Sequence, residues 1–280
     1  MSPLVSVIIP TWNESKNIAR NLQSIKKQTY KRVEIVIVDD GSIDDTVSIA
    51  KKYTKKVYPR NHQERSIQRN FGASRASGDY LLFIDADMEL NPKVIESCMR
   101  NINGHGALII PEKTVGKGFM SKVRAFEREM YMNDPTIEVA RFFKKTIFKE
   151  FNGYDPELTG TEDYDLPKRI SSKYTIGWAK EYIFHHETQR TLINQLKRKF
   201  YYANKSALYA KKHPELVATQ GNLLFRKAYF KNWKKFVQNP LLGLSFIFVR
   251  ILETIAAVSG YIKEVGVIEF IKTFVLMFKK

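Results

Sequence analysis

Apolar positions along the chain alternate between a strand-like and a helix-like period. Residues 4–10 form a β-rich run closed by Pro10. Asn13 or Ser15 is placed to cap a helix reaching about Gln28, with Ile18, Leu22 and Ile25 on one face. "VEIVIV" at 33–38 is almost continuously apolar, as a strand covered on both faces should be. "DDGSIDDT" follows, then a helix through Val47, Ile49 and Ala50, and another over 63–77 that Gly78 closes. Residues 80–84 and 108–110 read as strands, 117–132 as an amphipathic helix, and "YTIGWAKEYIFHHE" as a strand carrying His185 and His186 at its end. "EFNGYDPELTGTEDYDLPKRI" gives a turn, a carboxylate-rich loop and a helix start. Strands alternating with helices predict an α/β fold around a parallel sheet.

In such sheets, ligands bind beyond the carboxyl ends of the strands. Pro10-Thr11-Trp12, Asp39-Asp40 and Asp85-Ala86-Asp87 all fall at such ends, so three polar clusters share one rim. The last makes the strongest demand. Two ionised carboxylates at the end of a buried strand repel each other and are costly to bury without a compensating positive charge. Hard divalent cations take carboxylate and phosphate oxygens together, which makes Asp85 and Asp87 candidate metal ligands. The plainer alternative is a solvated turn, with Asp87 capping a helix that begins near Pro92.

Composition narrows the picture. With 280 residues and 44% of them apolar, the chain can bury one large core, and global disorder is excluded. The single cysteine, Cys98, rules out an internal disulfide framework and a cysteine-only metal site. A net charge of +17 favours anionic partners: nucleic acid, acidic lipid or phosphorylated substrates. "MSPLVSVIIPTWNE" starts a strand at once, so no export signal is expected.

Four ordered blocks, "VSVIIPTWNE", "VEIVIVDDGSIDDT", "RNFGASRASGDYLLFIDADM" and "TGTEDYDL", resemble the inverting glycosyltransferases of family 2, over roughly residues 4–190. The resemblance implies a GT-A (Rossmann-like) fold, a mostly parallel central sheet flanked by helices, and a nucleotide-diphosphate sugar as donor. By the same resemblance, Pro10, Thr11, Glu14 and Asp40 line the base and ribose pocket, and Arg69 approaches the nucleotide or its phosphate. Asp85 sits near ribose and metal, and Asp87 ligates Mn²⁺ or Mg²⁺. Many relatives add a histidine; His185 and His186 are both available, and the lean is to His185. Asp163 takes the role of general base, Glu162 helps to fix the acceptor, and Asp165 caps the following helix. The resemblance departs at Lys199, where processive synthases carry the tryptophan of a Q-x-x-R-W motif begun here by Gln195 and Arg198. Processive synthesis is therefore not expected.

Composition shifts again after about Thr188, so the expected division is a catalytic domain over 1–190 and a helical, basic and apolar region over 191–280. Twelve Lys and Arg against one acidic residue, Glu215, lie between Arg190 and Phe236, interleaved with aromatics. Residues 241–262 are long enough to span a bilayer, but Arg250 and Glu253 near the middle are costly there, about 2.5–3.5 kcal/mol each. Spaced three apart, they can pair on one helix face. An interfacial helix is expected instead, with a second over 267–278 ending at Lys279-Lys280. The expected setting is the cytoplasmic face of the cell membrane, with an anionic membrane surface as partner and a lipid or lipid-linked glycan as acceptor. A polyprenyl phosphate as acceptor, already anionic, would need no base. No nucleic-acid motif accompanies the basic region, so nucleic acid is not an expected partner. A nucleotidyltransferase would show a Gly- and Arg-rich phosphate loop that "PTWNES" does not offer, and a nucleotide-sugar-binding module without catalysis is the non-enzymatic alternative.

Overall fold

The computed structural model describes residues 2–187 and 191–278. Thr188 and Arg190, where the composition shifts, and the Lys279-Lys280 end lie outside the described residues. Two units pack each around its own core: Met1–Lys113 with Glu138–Glu157 and Glu162–His186, and Thr114–Ile137 with Leu158–Thr161 and Glu187–Lys280.

The first unit begins with β1 (Val5–Thr11), α1 (Ile18–Lys26), β2 (Val33–Asp39), α2 (Thr46–Lys51), β3 (Val57–Pro59), α3 (Arg65–Arg75) and β4 (Tyr80–Phe83). It continues through β5 (Met88–Leu90), α4 (Val94–Asn101), β6 (His105–Ile109) and β7 (Glu112–Val115), within which the chain leaves the unit. After α5 (Phe119–Tyr131) of the second unit come β8 (Ala140–Lys144), α6 (Lys145–Glu150), α7 (Glu162–Ile170), β9 (Thr175–Trp178) and β10 (Ile183–His186). The seven-stranded sheet has the order β3-β2-β1-β4-β8-β6-β9. It is parallel except at β8, which runs antiparallel to both β4 and β6.

Alternation along β1 sorts the core. Val5, Val7 and Ile9 pack with Ile18, Leu22 and Ile25 of α1, whereas Ile8 packs with Ala73 and Ala76 beyond the opposite face. Helix α3 comes so close to the sheet that a Cβ at Gly72 would run into the Ile8 side chain. Because β1 has parallel neighbours on both sides, the chain order reverses between β1 and β4. Such a reversal opens a crevice at the carboxyl ends of the two strands.

Several elements differ from the sequence expectation. Helix α1 starts at Ile18, and neither Asn13 nor Ser15 caps it. Asn13 has φ 52, and the backbone N–H groups of Asn13, Glu14 and Ser15 donate instead to Ser42, Thr46 and Asp44, zipping two loops together. "YTIGWAKEYIFHHE" is two strands in two sheets: β9 extends the large one, and β10 sits between β5 and β7 in a sheet of three. Asp87 does not cap α4, whose N-cap is Lys93, because β5 intervenes. Glu162 and Asp163 lie in the first turn of α7, not in a loop, and Asp165 is inside that helix, buried and paired with Arg169 at 2.7 Å.

The second unit joins α5 to α8 (Leu192–Asn204), α9 (Ala207–Lys212), α10 (Pro214–Gln220), α11 (Lys227–Lys231), α12 (Lys234–Gln238), α13 (Pro240–Val265) and α14 (Val267–Phe278). Helix α13 is long and apolar enough to cross a membrane by length and composition. Its two central charges, however, face the protein. Arg250 is 3% exposed and Glu253 0%, and they pair with each other at 2.9 Å. Arg250 also pairs with Glu127 of α5, and Glu253 accepts from Gln195 of α8 at 2.5 Å. Gln195 is therefore buried and bonded.

Candidate active site

At the carboxyl end of β1 and β2 the sequence clusters are tied into a frame. Thr11 donates to Asp39 Oδ1 at 3.1 Å, and Ser42 closes the turn on the same carboxylate through its N–H and hydroxyl. Asp39 thus serves the turn, and Asp40 points to the next loop. There it accepts from the Gln63 N–H at 2.8 Å and meets His62 Nδ1 at 2.6 Å. The exposed indole of Trp12 lies 5.7 Å from the His62 ring. Pro10 is half-buried at the strand end, whereas Glu14 accepts from Asn17 at 2.7 Å where the chain enters α1.

Beyond β4, ionic groups form an unbroken chain of alternating sign. Arg69, from α3, is only 1% exposed. It contacts Asp163 at 2.5 Å, Asp85 at 3.0 Å and Glu162 at 3.4 Å, and its guanidinium lies 5.3 Å from the centre of the buried Tyr154 ring. Asp85 continues to Arg141 at 3.7 Å, and Arg141 to Glu112 at 2.7 Å. Glu112 meets His185 Nδ1 at 3.3 Å, and His185 Nε2 meets Asp87 at 3.3 Å. His186 is not in the chain; it bonds Glu89 at 2.8 Å. Asn21 of α1, fully buried, holds the turn between the two aspartates by donating to the carbonyls of Asp85 and Met88.

Burial opposes every charge here, and the partners decide the outcome. Desolvation works against the Arg69 cation, yet Asp163 and Asp85 raise its pKa well above the ordinary value. Desolvation would raise the pKa of Asp85, but Arg69 and Arg141 hold it well below the usual carboxylate range. Burial would lower the pKa of His185; hydrogen bonds to Asp87 and Glu112 instead push it up to about 9. Glu162 is shifted the other way, raised by burial and then by the Asp163 charge beside it.

Five carboxylates stand against the guanidinium groups of Arg69 and Arg141 and the nearby charge of Arg65, which leaves two negative charges in excess when His185 is neutral. A divalent cation suits that excess. Asp87 and His185 offer an oxygen and a nitrogen 3.3 Å apart, close to the about 3 Å between adjacent ligands of an octahedral ion with bonds near 2.1 Å. Among the described residues, no group of three His, Cys, Asp or Glu side chains is arranged to hold a metal by itself; Asp87 and His185 are a pair that could take part in holding one. Arg69 Nε and Glu162 Oε2 are buried without a hydrogen-bond partner among the described residues.

Glu112, Arg141, Asn21 and Tyr154 did not stand out in the sequence. The nearest signal for Glu112 is its place just beyond the apolar run at 108–110, one residue further out than Asp85 stands after 80–84.

Comparison with known proteins gives the family and the fold. The chain is 27% identical over 218 residues to the uncharacterized glycosyltransferase RT0329 of Rickettsia typhi, covering 70% of this chain and 69% of that protein. It is 32% identical over 179 residues to the poly(ribitol-phosphate) beta-N-acetylglucosaminyltransferase TarS of Staphylococcus aureus, covering 56% of this chain but only 30% of TarS. The fold matches the mannosyltransferase PcManGT of Pyrobaculum calidifontis, solved with GDP-Man and Mn²⁺, at a TM-score of 0.59 and 17% identity, over 94% of this chain and 88% of that one. It matches TarS 1–349 with UDP-GlcNAc at 0.57 and 19%, over 98% and 88%. Both likenesses are to GT-A glycosyltransferases and establish the fold. The sequence model described as "Glycosyl transferase family 2" matches residues 6–157, more than half of the chain. The chain belongs to glycosyl transferase family 2, and it is a glycosyltransferase of GT-A fold.

Proposed function

We propose that the protein is a metal-dependent, inverting transferase that moves a sugar from a nucleotide diphosphate to a hydroxyl acceptor. The carrying observation is the chain of ions from Asp163 through Arg69 and Asp85 to His185 and Asp87, which sets a carboxylate for the acceptor and donors for a cation in one network. Support comes from PcManGT, solved with GDP-Man and Mn²⁺, and from TarS, solved with UDP-GlcNAc.

In this reading the nucleotide base stacks on the exposed Trp12 indole, and Asp40 accepts from a base N–H or a ribose hydroxyl. Asp87 and His185 would hold Mn²⁺ or Mg²⁺, which would offset the charge developing on the leaving diphosphate. Arg69 supplies fixed positive charge beside it and keeps Asp85 ionised. Asp163 removes the proton of the acceptor hydroxyl as that oxygen attacks the anomeric carbon from the face opposite the leaving group. Glu162, with one oxygen unpartnered, accepts from a second acceptor hydroxyl. No residue bonds covalently to the sugar. Position matters more than basicity here, since a well-oriented carboxylate acts only as the carbon–oxygen bond forms.

The second unit supports a membrane-bound setting. Leu241, Leu244, Ile247, Phe248, Ile251 and Ile255 are exposed along one stripe of α13, while its Arg250 and Glu253 are buried. That is an amphipathic helix with its charged face inward. The exposed Phe230, Trp233, Lys227, Lys231 and Lys234 precede it in the chain. An apolar stripe beside lysines complements an anionic bilayer, with the helix lying in the interface. The acceptor is then a lipid or a lipid-linked glycan, reached at the membrane surface.

Thermal-shift titration with UDP-, GDP- and dTDP-sugars, with and without Mn²⁺, tests the donor reading. One nucleotide sugar should stabilise the wild type in a Mn²⁺-dependent way and lose that dependence in Asp87→Ala. Stabilisation that ignores both the metal and the substitution would remove the metal from the mechanism.

A further inference from the structure

The geometry points to Glu112 as a positioning residue that aims His185 at the metal and fixes its tautomer, an inference that rests on the reading of Asp87 and His185 as metal ligands. Glu112 is the first residue of β7 and is buried. Its two oxygens meet different partners. Oε1 accepts from Arg141 through Nε at 2.8 Å and Nη2 at 2.7 Å, two charged donors converging on one oxygen and holding it in place. Oε2 faces His185 Nδ1 at 3.3 Å.

A neutral imidazole carries one N–H, and a metal takes the lone pair of the other nitrogen. Carboxylates face both ring nitrogens at 3.3 Å, so a cation held by Asp87 would take the Nε2 lone pair while Glu112 keeps the proton on Nδ1. Carboxylate–histidine–metal arrangements of this kind raise ligand basicity and hold the ring in place. Arg141 completes the device. Its Nη1 lies 3.7 Å from Asp85 Oδ2, so one guanidinium sets the orientation of Glu112 and restrains the first aspartate of the Asp-Ala-Asp pair. Glu112 itself stands at the ring nitrogen remote from Asp87, which is the place of an orienting partner.

The test is Mn²⁺ binding, measured by titration calorimetry and pulsed electron paramagnetic resonance in the presence of UDP or GDP. Wild type, Asp87→Ala, Glu112→Gln and Glu112→Ala are compared, with circular dichroism and metal-free nucleotide binding as controls of folding. Glu112→Ala should weaken Mn²⁺ by about 10–100-fold and diminish the histidine nitrogen coupling to the ion. Glu112→Gln keeps volume and an oxygen that accepts from Nδ1–H, so it should recover part of the affinity and most of the coupling. Equal loss in the two variants would assign the effect to charge and overturn positioning by a hydrogen bond. Wild-type affinity and coupling in both, with binding lost in Asp87→Ala, would leave the metal reading standing and overturn this one. A wild type that takes up no Mn²⁺ with either nucleotide would overturn both.

Discussion

Arg69 holds three carboxylates while being almost wholly buried, so it links the loop after β4 to the first turn of α7. Removing one side of a buried ion cluster leaves uncompensated charge, at a cost of about 3–5 kcal/mol. Arg69→Met should therefore lower stability by that order in urea or thermal unfolding, and a Tm close to that of the wild type would contradict the role. Asp163→Asn leaves the shape of the site in place and removes the base. Transfer should fall by about 10²–10⁴-fold while donor affinity in the thermal-shift titration stays near wild type; full transfer activity would exclude Asp163 as the base. Asp85 and Asp87 were legible in the sequence because they stand where an apolar run stops, and Glu162 and Asp163 because they belong to a dense acidic block. Their partners were not. Arg141 sits among strand residues with no local signal, Glu112 has only its place shortly after an apolar run, and the neighbouring strands β8, β7 and β10 bring them to Asp85 and His185.

Elements depend on a few tight contacts that the hydrophobic pattern cannot show. Glu34 of β2 accepts from Ser6, from Lys56 at 2.5 Å and from the Ser77 N–H at 2.5 Å, and so clasps β1, β2 and the turn before β4. Burial would raise its pKa, but the hydrogen bonds of Lys56 and Ser6 lower it below the ordinary value. A depressed carboxylate pKa contributes stability that is present above the unfolded-state value and is lost as pH falls through the folded one. Glu34→Gln should cost about 1–3 kcal/mol near neutral pH, and the gap to wild type should close as pH falls below the ordinary carboxylate range. A gap independent of pH would show that the charge of Glu34 contributes nothing. Helix α13 makes the same point by sterics. A Cβ at Gly260 would collide with the backbone of Phe200 on α8, which cannot yield as a side chain would. Gly260→Ala should destabilise the protein by about 1–3 kcal/mol, seen as a lower midpoint in urea. The periodicity located α13 and α14 well, yet read β9 and β10 as one strand, since a turn between two apolar runs carries no marker of which sheet each will join.

At the scale of the whole chain, a net charge of +17 and an apolar stripe on α13 meet the two requirements of a peripheral membrane protein. On the proposed membrane-bound reading, the charge draws the protein to anionic lipid and the stripe inserts once it arrives, so the two contributions separate by experiment. Sedimentation with vesicles of phosphatidylcholine and phosphatidylglycerol should bring the wild type down, with pure phosphatidylcholine retaining much less. Each lysine near the surface is worth about 1 kcal/mol and that attraction falls off within a Debye length, so added salt should weaken recruitment. Phe248→Asp with Ile251→Asp places two carboxylates on the stripe, leaves Arg250 and Glu253 in their buried network, and should abolish sedimentation at a salt concentration where the wild type still binds. Neutralising Lys227, Lys231 and Lys234 should instead weaken recruitment and reduce its dependence on salt. If the double variant sediments like the wild type, the stripe does not meet lipid. A concentration-dependent rise in mass for the wild type alone, seen by light scattering, would then assign the stripe to a second copy of the chain.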